Sequence, residues 1–395
     1  MHLTDEMEQY LRDSEGELRE LIRQLCAIPA PSHHEEERAA FCLRWFRENG
    51  GEDAYMDEAL NVICPLGVTQ DNEVTVFMAH TDTVFPDREP MPMEEKEGIL
   101  YCPGVCDDTA NLAVLMICAR YYLRRKPALK TGMLFVANSG EEGLGNLKGC
   151  RAVCAEYGSR IRELITLDAA QLNDVVTRAV GSHRYRITVR TEGGHSFTAF
   201  GNRNAIHVLA SMIDTLYTVK VPQEGDSHTT YNVGMISGGT SVNTIAQEAS
   251  MLYEYRSDSR TCLEKMEHML ESVVEAYRST GIEVEVERIG DRPCAGDVDT
   301  ARYGSLVERA CGAIRDILGQ EPNCRAGSTD CNIPLSMGIP AVCMGVCQGW
   351  GCHTREEGLR LDSLLPGSRL FLSFLSETIS QHIKHGAEDL AALQN

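Results

Sequence analysis

The chain has no surplus of positive charge. Its 37 lysines and arginines face 58 aspartates and glutamates, a net charge of −21 over 395 residues. Phosphate binding needs a basic face, so nucleic acid is not an expected partner. An anionic membrane surface is disfavoured for the same reason. No run of about 18 apolar residues exists to cross a membrane. Met1 to Glu20 shows neither the basic start nor the apolar stretch of a signal peptide. No Cys-x-x-Cys pair occurs among the 16 cysteines. The offsets Cys102/Cys106, Cys150/Cys154 and Cys343/Cys347 carry little zinc-finger signal. Without a secretion signal a disulfide framework is not expected, and the thiols read as small buried hydrophobes in a reducing cytoplasm. Internal repeats, low-complexity segments and linker-like tracts are also missing.

What is present is an alternation of apolar runs. Leu11, Leu18, Ile22 and Leu25 recur at helical spacing, Pro29-Ala30-Pro31-Ser32 breaks the pattern, and Glu35 to Glu48 resumes it. Val74 to Ala79 is a short run rich in β-formers that ends at His80. Asn111 to Arg125 reads as an apolar helix. Thr131–Asn138 and Leu164–Leu167 read as buried strands, the second ending at Asp168. Strand, helix and strand in turn predict an α/β sheet with helices on both faces. In such sheets ligands bind outside the carboxyl ends of the strands. The texture changes near residue 180. Strand, helix, strand, strand, helix, strand follow one another between Arg184 and Arg288, an order that suits a separate ferredoxin-like domain. The α/β texture returns after Pro293, so residues 181–290 read as an insertion between 1–180 and 291–395.

Chemistry-bearing residues stand at or near the strand ends: His80 and Asp82, Asp107-Asp108, Glu141-Glu142, Asp168, and a late His353 in a Gly-flanked loop. Each motif alone is weak. Adjacent acids are often a solvated face, and a buried histidine is often bonded to backbone. Here the acids follow buried strands, where carboxylates are costly without a compensating cation. A two-metal hydrolytic site needs one bridging acid, two further ligands per metal and one unligated base. His80, Asp107, Glu141, Glu142, Asp168 and His353 match those six roles in number. Asp82 is left over, two residues from His80, where it is placed to fix the imidazole tautomer.

The segments Met78-Ala79-His80-Thr81-Asp82, Pro103-Gly104-Val105-Cys106-Asp107-Asp108, Ser139-Gly140-Glu141-Glu142-Gly143, Leu167-Asp168 and Gly351-Cys352-His353-Thr354 together resemble the M20 family of metallopeptidases. The resemblance implies a zinc-exopeptidase-like α/β/α catalytic domain with an inserted α+β lid and dimerisation domain. It implies two Zn2+ per chain, with Co2+ or Mn2+ as substitutes. His80 and Asp168 would hold one metal, Glu142 and His353 the other, and Asp107 would bridge them through a cis peptide to Asp108. Glu141 would be the general base and Asp82 the residue orienting His80. In the lid, His195 would steady the oxyanion of a neighbouring subunit's site, or be a plain turn histidine. Asn243 would contact substrate, or belong to a simple Gly-Gly turn. Arg256 would bind a substrate carboxylate, or form a surface ion pair. Ser328 and Thr329 would hold the substrate backbone, or cap a helix. One departure is Thr109-Ala110-Asn111, where many relatives carry a lysine and then a glycine. The glycine-rich stretches look most like the tripeptidase branch, related to peptidase T. The expected activity is that of an aminopeptidase on di- or tripeptides, working as a homodimer in the cytoplasm. An N-acyl-amino-acid amidohydrolase with the same machinery is the alternative, and a non-catalytic metal-binding protein on the same fold a third reading.

Overall fold

A computed structural model describes residues 3–383. The chain divides into two compact units. One runs to Thr177 and resumes at Asp297; the other is Arg178–Gly296.

The first unit is built on an eight-stranded sheet. Its order is Tyr55–Met56, Val62–Leu66, Gly132–Asn138, Val74–His80, Ile161–Leu167, Ala341–Met344, Asp174–Ala179 and Asn323–Gly327. The four central strands, from Gly132–Asn138 to Ala341–Met344, are mutually parallel. Val62–Leu66 and Asp174–Ala179 flank them antiparallel. Every residue of Val74–His80 and Gly132–Asn138 is buried. Side chains alternate along a strand, so both faces of the sheet must be covered. Phe77, Ala79, Phe135, Ala137, Ile165 and Leu167 share one core with the helices Asp5–Cys26, Glu36–Glu48, Ala110–Arg125 and Leu364–Ser380. The helix Ala110–Arg125 is buried on nearly every side, which explains why its sequence is apolar all round. Asp5–Cys26 starts at Thr4, whose side chain accepts from Met7 N, and carries Asp5, Glu6 and Glu8 in its first turn. These acids suit the positive end of the helix dipole.

Parallel pairing sets the carboxyl ends of the central strands side by side. His80 pairs with Asn138, and Met78 with Thr166. Two residues past the latter pair, His80 stands level with Asp168. A second sheet, Gly349–Trp350, Gly358–Arg360, Ile99–Tyr101 and Glu94–Lys96, joins late chain to early chain. Gly358 pairs with Tyr101, which draws the hairpin carrying His353 towards the loop carrying Asp107.

The second unit has four antiparallel strands in the order Thr229–Gly238, Glu248–Ser257, Gly181–Arg190 and Glu283–Arg292. With the helices Ala205–Tyr217 and Arg260–Ser279 this is the ferredoxin-like arrangement expected above. Tyr185, Ile187, Val189, Met251, Tyr253 and Tyr255 meet both helices in one core. The opposite face carries ion pairs such as Arg186–Glu287 and Arg190–Glu248. The sequence reading missed several elements: the antiparallel flanking strands, the second sheet, and the helices Lys148–Tyr157 and Leu364–Ser380. Short strands depend on partners elsewhere in the chain, so local pattern marks them poorly.

Candidate metal centre

His80 closes its strand and is 1% exposed. Its Nδ1 lies 3.0 Å from the Asp82 carbonyl oxygen. A carbonyl only accepts, so Nδ1 carries the proton. Nε2 then faces Asp107 Oδ1 at 3.1 Å, with Asp168 Oδ1 at 4.0 Å. The other Asp107 oxygen, Oδ2, lies 3.0 Å from His353 Nε2, which is also 3.1 Å from Glu142 Oε1. Asp107 thus presents one oxygen to each imidazole. Ligand atoms of His80, Glu141 and Asp168 lie within 4.8 Å of one another, as do those of His80, Asp107 and Glu142. His80, Asp107, Glu141, Glu142, Asp168 and His353 are therefore brought together.

Backbone geometry aims these groups. The Asp107–Asp108 peptide is cis. His353 has φ +67° beside Gly351 at +73°, left-handed values that turn the hairpin sharply. Asp82 is fully buried and accepts from three donors: Glu141 N and Glu142 N, each at 2.9 Å, and Ser32 Oγ at 2.6 Å. Asp82 thus holds His80 through its backbone carbonyl and, through its carboxylate, pins the turn that carries both glutamates.

The electrostatics fit a site built for cations. Burial, then the charges of Glu141, Asp107 and Asp108, push the Asp168 carboxyl well above the usual range. Burial and the Asp107 charge push Glu142 up to about 7. Burial works against charge on His80, but Asp108 and the bonds to Asp107 and Asp82 outweigh it and hold the imidazole well above its usual value. The bonds to Asp107 and Glu142 raise His353 to about 10. Asp107 and Asp82 are opposed by burial as well, yet their histidine contacts hold both carboxyls low. The surrounding carboxylates favour protons on the His80 and His353 imidazoles. Imidazole and carboxylate are the donor set zinc takes, and divalent ions would relieve the crowding that protons only partly offset.

Four residues have supporting contacts that the sequence reading did not assign. Glu357 is fully buried, and its carboxylate accepts from Gly104 N at 2.7 Å, Cys106 N at 2.7 Å and Asp107 N at 3.0 Å. The glycine turn before Asp107 hinted at such a need, since its N–H groups require an acceptor. Ser32 braces Asp82, and Asp108 accepts from His80 N at 2.9 Å. Asn111, part of the departure from the familiar pattern, donates to Asp108 Oδ1 at 2.6 Å and accepts from Val346 N at 3.2 Å. The helix entry is thereby tied to the loop after Ala341–Met344.

The remaining predicted residues have the following local partners. Thr329 Oγ1 accepts from Cys331 N at 3.2 Å, and Thr329 N donates to Asn332 Oδ1 at 3.1 Å. This is a hydrogen-bonded turn before the short helix Asn332–Ser336, and Ser328 precedes it. In the second unit, His195 and Gly194 pair with Thr244 and Ile245, and Asn243 O accepts from Ser196 N at 3.0 Å. The exposed His195 imidazole accepts weakly from Phe197 N at 3.3 Å. Arg256 forms a two-pronged pair with Glu254, at 3.0 and 3.1 Å.

The chain is similar to several known proteins. An uncharacterised Bacillus subtilis protein, YqjE, is 25% identical over 393 residues, covering 92% of this chain and 99% of its own. A succinyl-diaminopimelate desuccinylase of Alkalilimnicola ehrlichii is 25% identical over 321 residues, covering 76% and 83%. The crystal structure of a Staphylococcus aureus tripeptidase superposes with a TM-score of 0.72 at 23% identity, covering 91% of this chain and 97% of that one. Residues 76–377 match the sequence profile of peptidase family M20/M25/M40, and on that extent of agreement the chain belongs to this family of metal-dependent hydrolases of peptide and amide bonds.

Proposed function

We propose that the protein is a dizinc aminopeptidase that cleaves di- or tripeptides. The observation that carries the proposal is Asp107, whose two oxygens face the two imidazoles at 3.1 and 3.0 Å. His80 and Asp168 would hold one ion, Glu142 and His353 the other, and Asp107 would lie between. Bound there, the ions would polarise the scissile carbonyl and bring the pKa of water to about 7. Glu141 is 3% exposed and reaches the same cluster. Its carboxylate takes a proton from the attacking water and passes it to the leaving amine. Asp82 holds Glu141 in place through its backbone N–H and keeps His80 in the Nδ1–H tautomer. His195 would donate to the carbonyl oxygen as that oxygen gains charge, from a neighbouring subunit's lid. Asn243, Arg256, Ser328 and Thr329 would bind the substrate's polar groups.

A homodimer is part of this reading. The edge strand Thr229–Gly238 leaves Met235 and Ile236 more than half exposed, and Ile206 and Tyr217 are exposed on the helix Ala205–Tyr217. An unpaired strand edge with apolar side chains suits a second copy. Among the described residues no helix is long and apolar enough to cross a membrane. The cytoplasm is the compartment that goes with this reading.

Glu141→Ala tests the assignment. Turnover of a free tripeptide should fall by about 10²–10⁴-fold or more, while metal analysis still finds two ions per chain. Undiminished hydrolysis by that variant rules out Glu141 as the base. The desuccinylase relative favours a second reading, an amidohydrolase of N-acyl amino acids. Competing a free tripeptide against its N-succinyl and N-acetyl forms separates the two.

A further inference from the structure

Fourteen of the 16 cysteines are buried, Cys352 is half-buried, and Cys324 alone is exposed. Cys324 lies on the edge strand Asn323–Gly327, and its Sγ is 3.6 Å from Sγ of Cys311 on the helix Thr300–Leu318. Cys150 and Cys154 also approach, at 4.0 Å, but both are buried. The pair Cys311/Cys324 therefore combines contact between thiols with access from solvent.

Both partners are held in place by their surroundings. The helix buries Leu306, Ala310, Ala313 and Ile314 in the core. On the strand, the neighbours of Cys324 are tied to one carboxylate: Asn323 Nδ2 and Arg325 Nε each donate to Asp174 at 2.8 Å. A disulfide has its sulfurs at about 2.05 Å. The 3.6 Å separation must close by about 1.5 Å, a change within reach of side-chain rotation.

We infer that Cys311 and Cys324 form a site of reversible oxidation, closing to a disulfide by exchange with a low-molecular-weight disulfide. The exposed Cys324 loses its proton to solvent and attacks one sulfur of the small disulfide. That S–S bond breaks, one small thiolate leaves and takes up a proton, and Cys324 carries a mixed disulfide. Burial and the neighbouring Cys324 push the Cys311 thiol up to about 12. Cys311 gives up its proton as it attacks the Cys324 sulfur, and the second small thiolate leaves and takes up a proton. Two protein thiols become one disulfide, and the small disulfide becomes two thiols, so two electrons pass to the reagent. The bridge fastens the helix to the strand that enters the Ser328–Thr329 turn. It also closes a short loop, which restricts the unfolded chain.

The test is exposure of the full chain to oxidised glutathione, followed by alkylation of remaining thiols and non-reducing peptide mapping. Trypsin should cut after Arg309, Arg315 and Arg325, placing the two cysteines on the peptides 310–315 and 316–325. The expected result is a cross-link between these peptides, no retained glutathione, reversal by dithiothreitol, and a raised melting temperature of the oxidised form. Cys311→Ser should instead trap glutathione on Cys324. Retention of glutathione on Cys324 in the wild type to the same degree as in Cys311→Ser would overturn the inference. So would a Cys324 that remains fully alkylatable after oxidation.

Discussion

Glu357→Gln probes how the bridging aspartate is held. In the wild type, Glu357 Oε1 accepts from Cys106 N and Asp107 N, and Oε2 accepts from Gly104 N. Glutamine keeps one acceptor oxygen. With that oxygen at the Oε1 position, its amide nitrogen faces the Gly104 N–H, two donors without an acceptor between them. A hydrogen bond to a charged group is worth about 1.5–3 kcal/mol, and a stranded buried donor costs about 1–3 kcal/mol. The three bonds share one group and do not add, so a loss of about 2–4 kcal/mol of stability is expected. That is a large part of the roughly 5–15 kcal/mol a domain has, yet it leaves a folded protein. The loop that carries Asp107 loosens, and metal affinity should fall by about 10–100-fold, as when a group supporting a ligand is removed. Urea unfolding in the presence of chelator gives the first quantity. Competition of the folded variant against a chromophoric zinc chelator gives the second. Zinc affinity within twofold of wild type in a folded Glu357→Gln protein would refute the argument that Glu357 positions the bridge.

Three further outcomes are expected. His353 has its pKa raised from 6.5 to about 10 by Asp107 and Glu142. Its contribution to the stability of the metal-free protein is therefore complete below about pH 6.5 and is lost as pH rises through 10. Chelator-treated protein melted from pH 6 to 10 should show this decline, and His353→Gln should show less of it. Zinc binding at pH 8 should release at least one proton, because the His353 imidazole must become neutral to serve as a ligand. Calorimetry in buffers of different ionisation enthalpy measures that release, and a buffer-independent heat argues against it. If His195 acts on a neighbouring subunit, mixing Glu141→Ala and His195→Ala proteins after gentle dissociation should restore hydrolysis, since one site of each mixed dimer is intact. A mixture as inactive as its components removes the trans role.

Much of the site was legible because its residues follow local signals. His80, Glu141, Glu142 and Asp168 each come directly after or shortly beyond a short apolar run, and a parallel sheet brings such ends to one edge. Asp82 is legible by its nearness to His80. Glu357 was not. It follows His353 in a polar hairpin, and nothing nearby in the sequence shows that its carboxylate turns inward to the N–H groups of the Asp107 loop. Ser32 was hidden for the same reason, since it meets Asp82 only through the fold. Thr329 and Arg256 have residue types that suit substrate binding, and only the fold shows their immediate partners, the Cys331 N–H and the Glu254 carboxylate.

Taken alone, the order of residues determined the layered α/β unit, the inserted antiparallel unit, and the acids and histidines gathered at the strand ends. Periodic burial and turn chemistry act over a few residues and can be read in place. Tertiary structure decided which oxygen of Asp107 faces which imidazole, which carboxylate braces the loop, and that Cys311 and Cys324 touch. Those choices depend on backbone pairing between distant segments, as between Tyr101 and Gly358, and such pairing leaves no mark on either segment by itself.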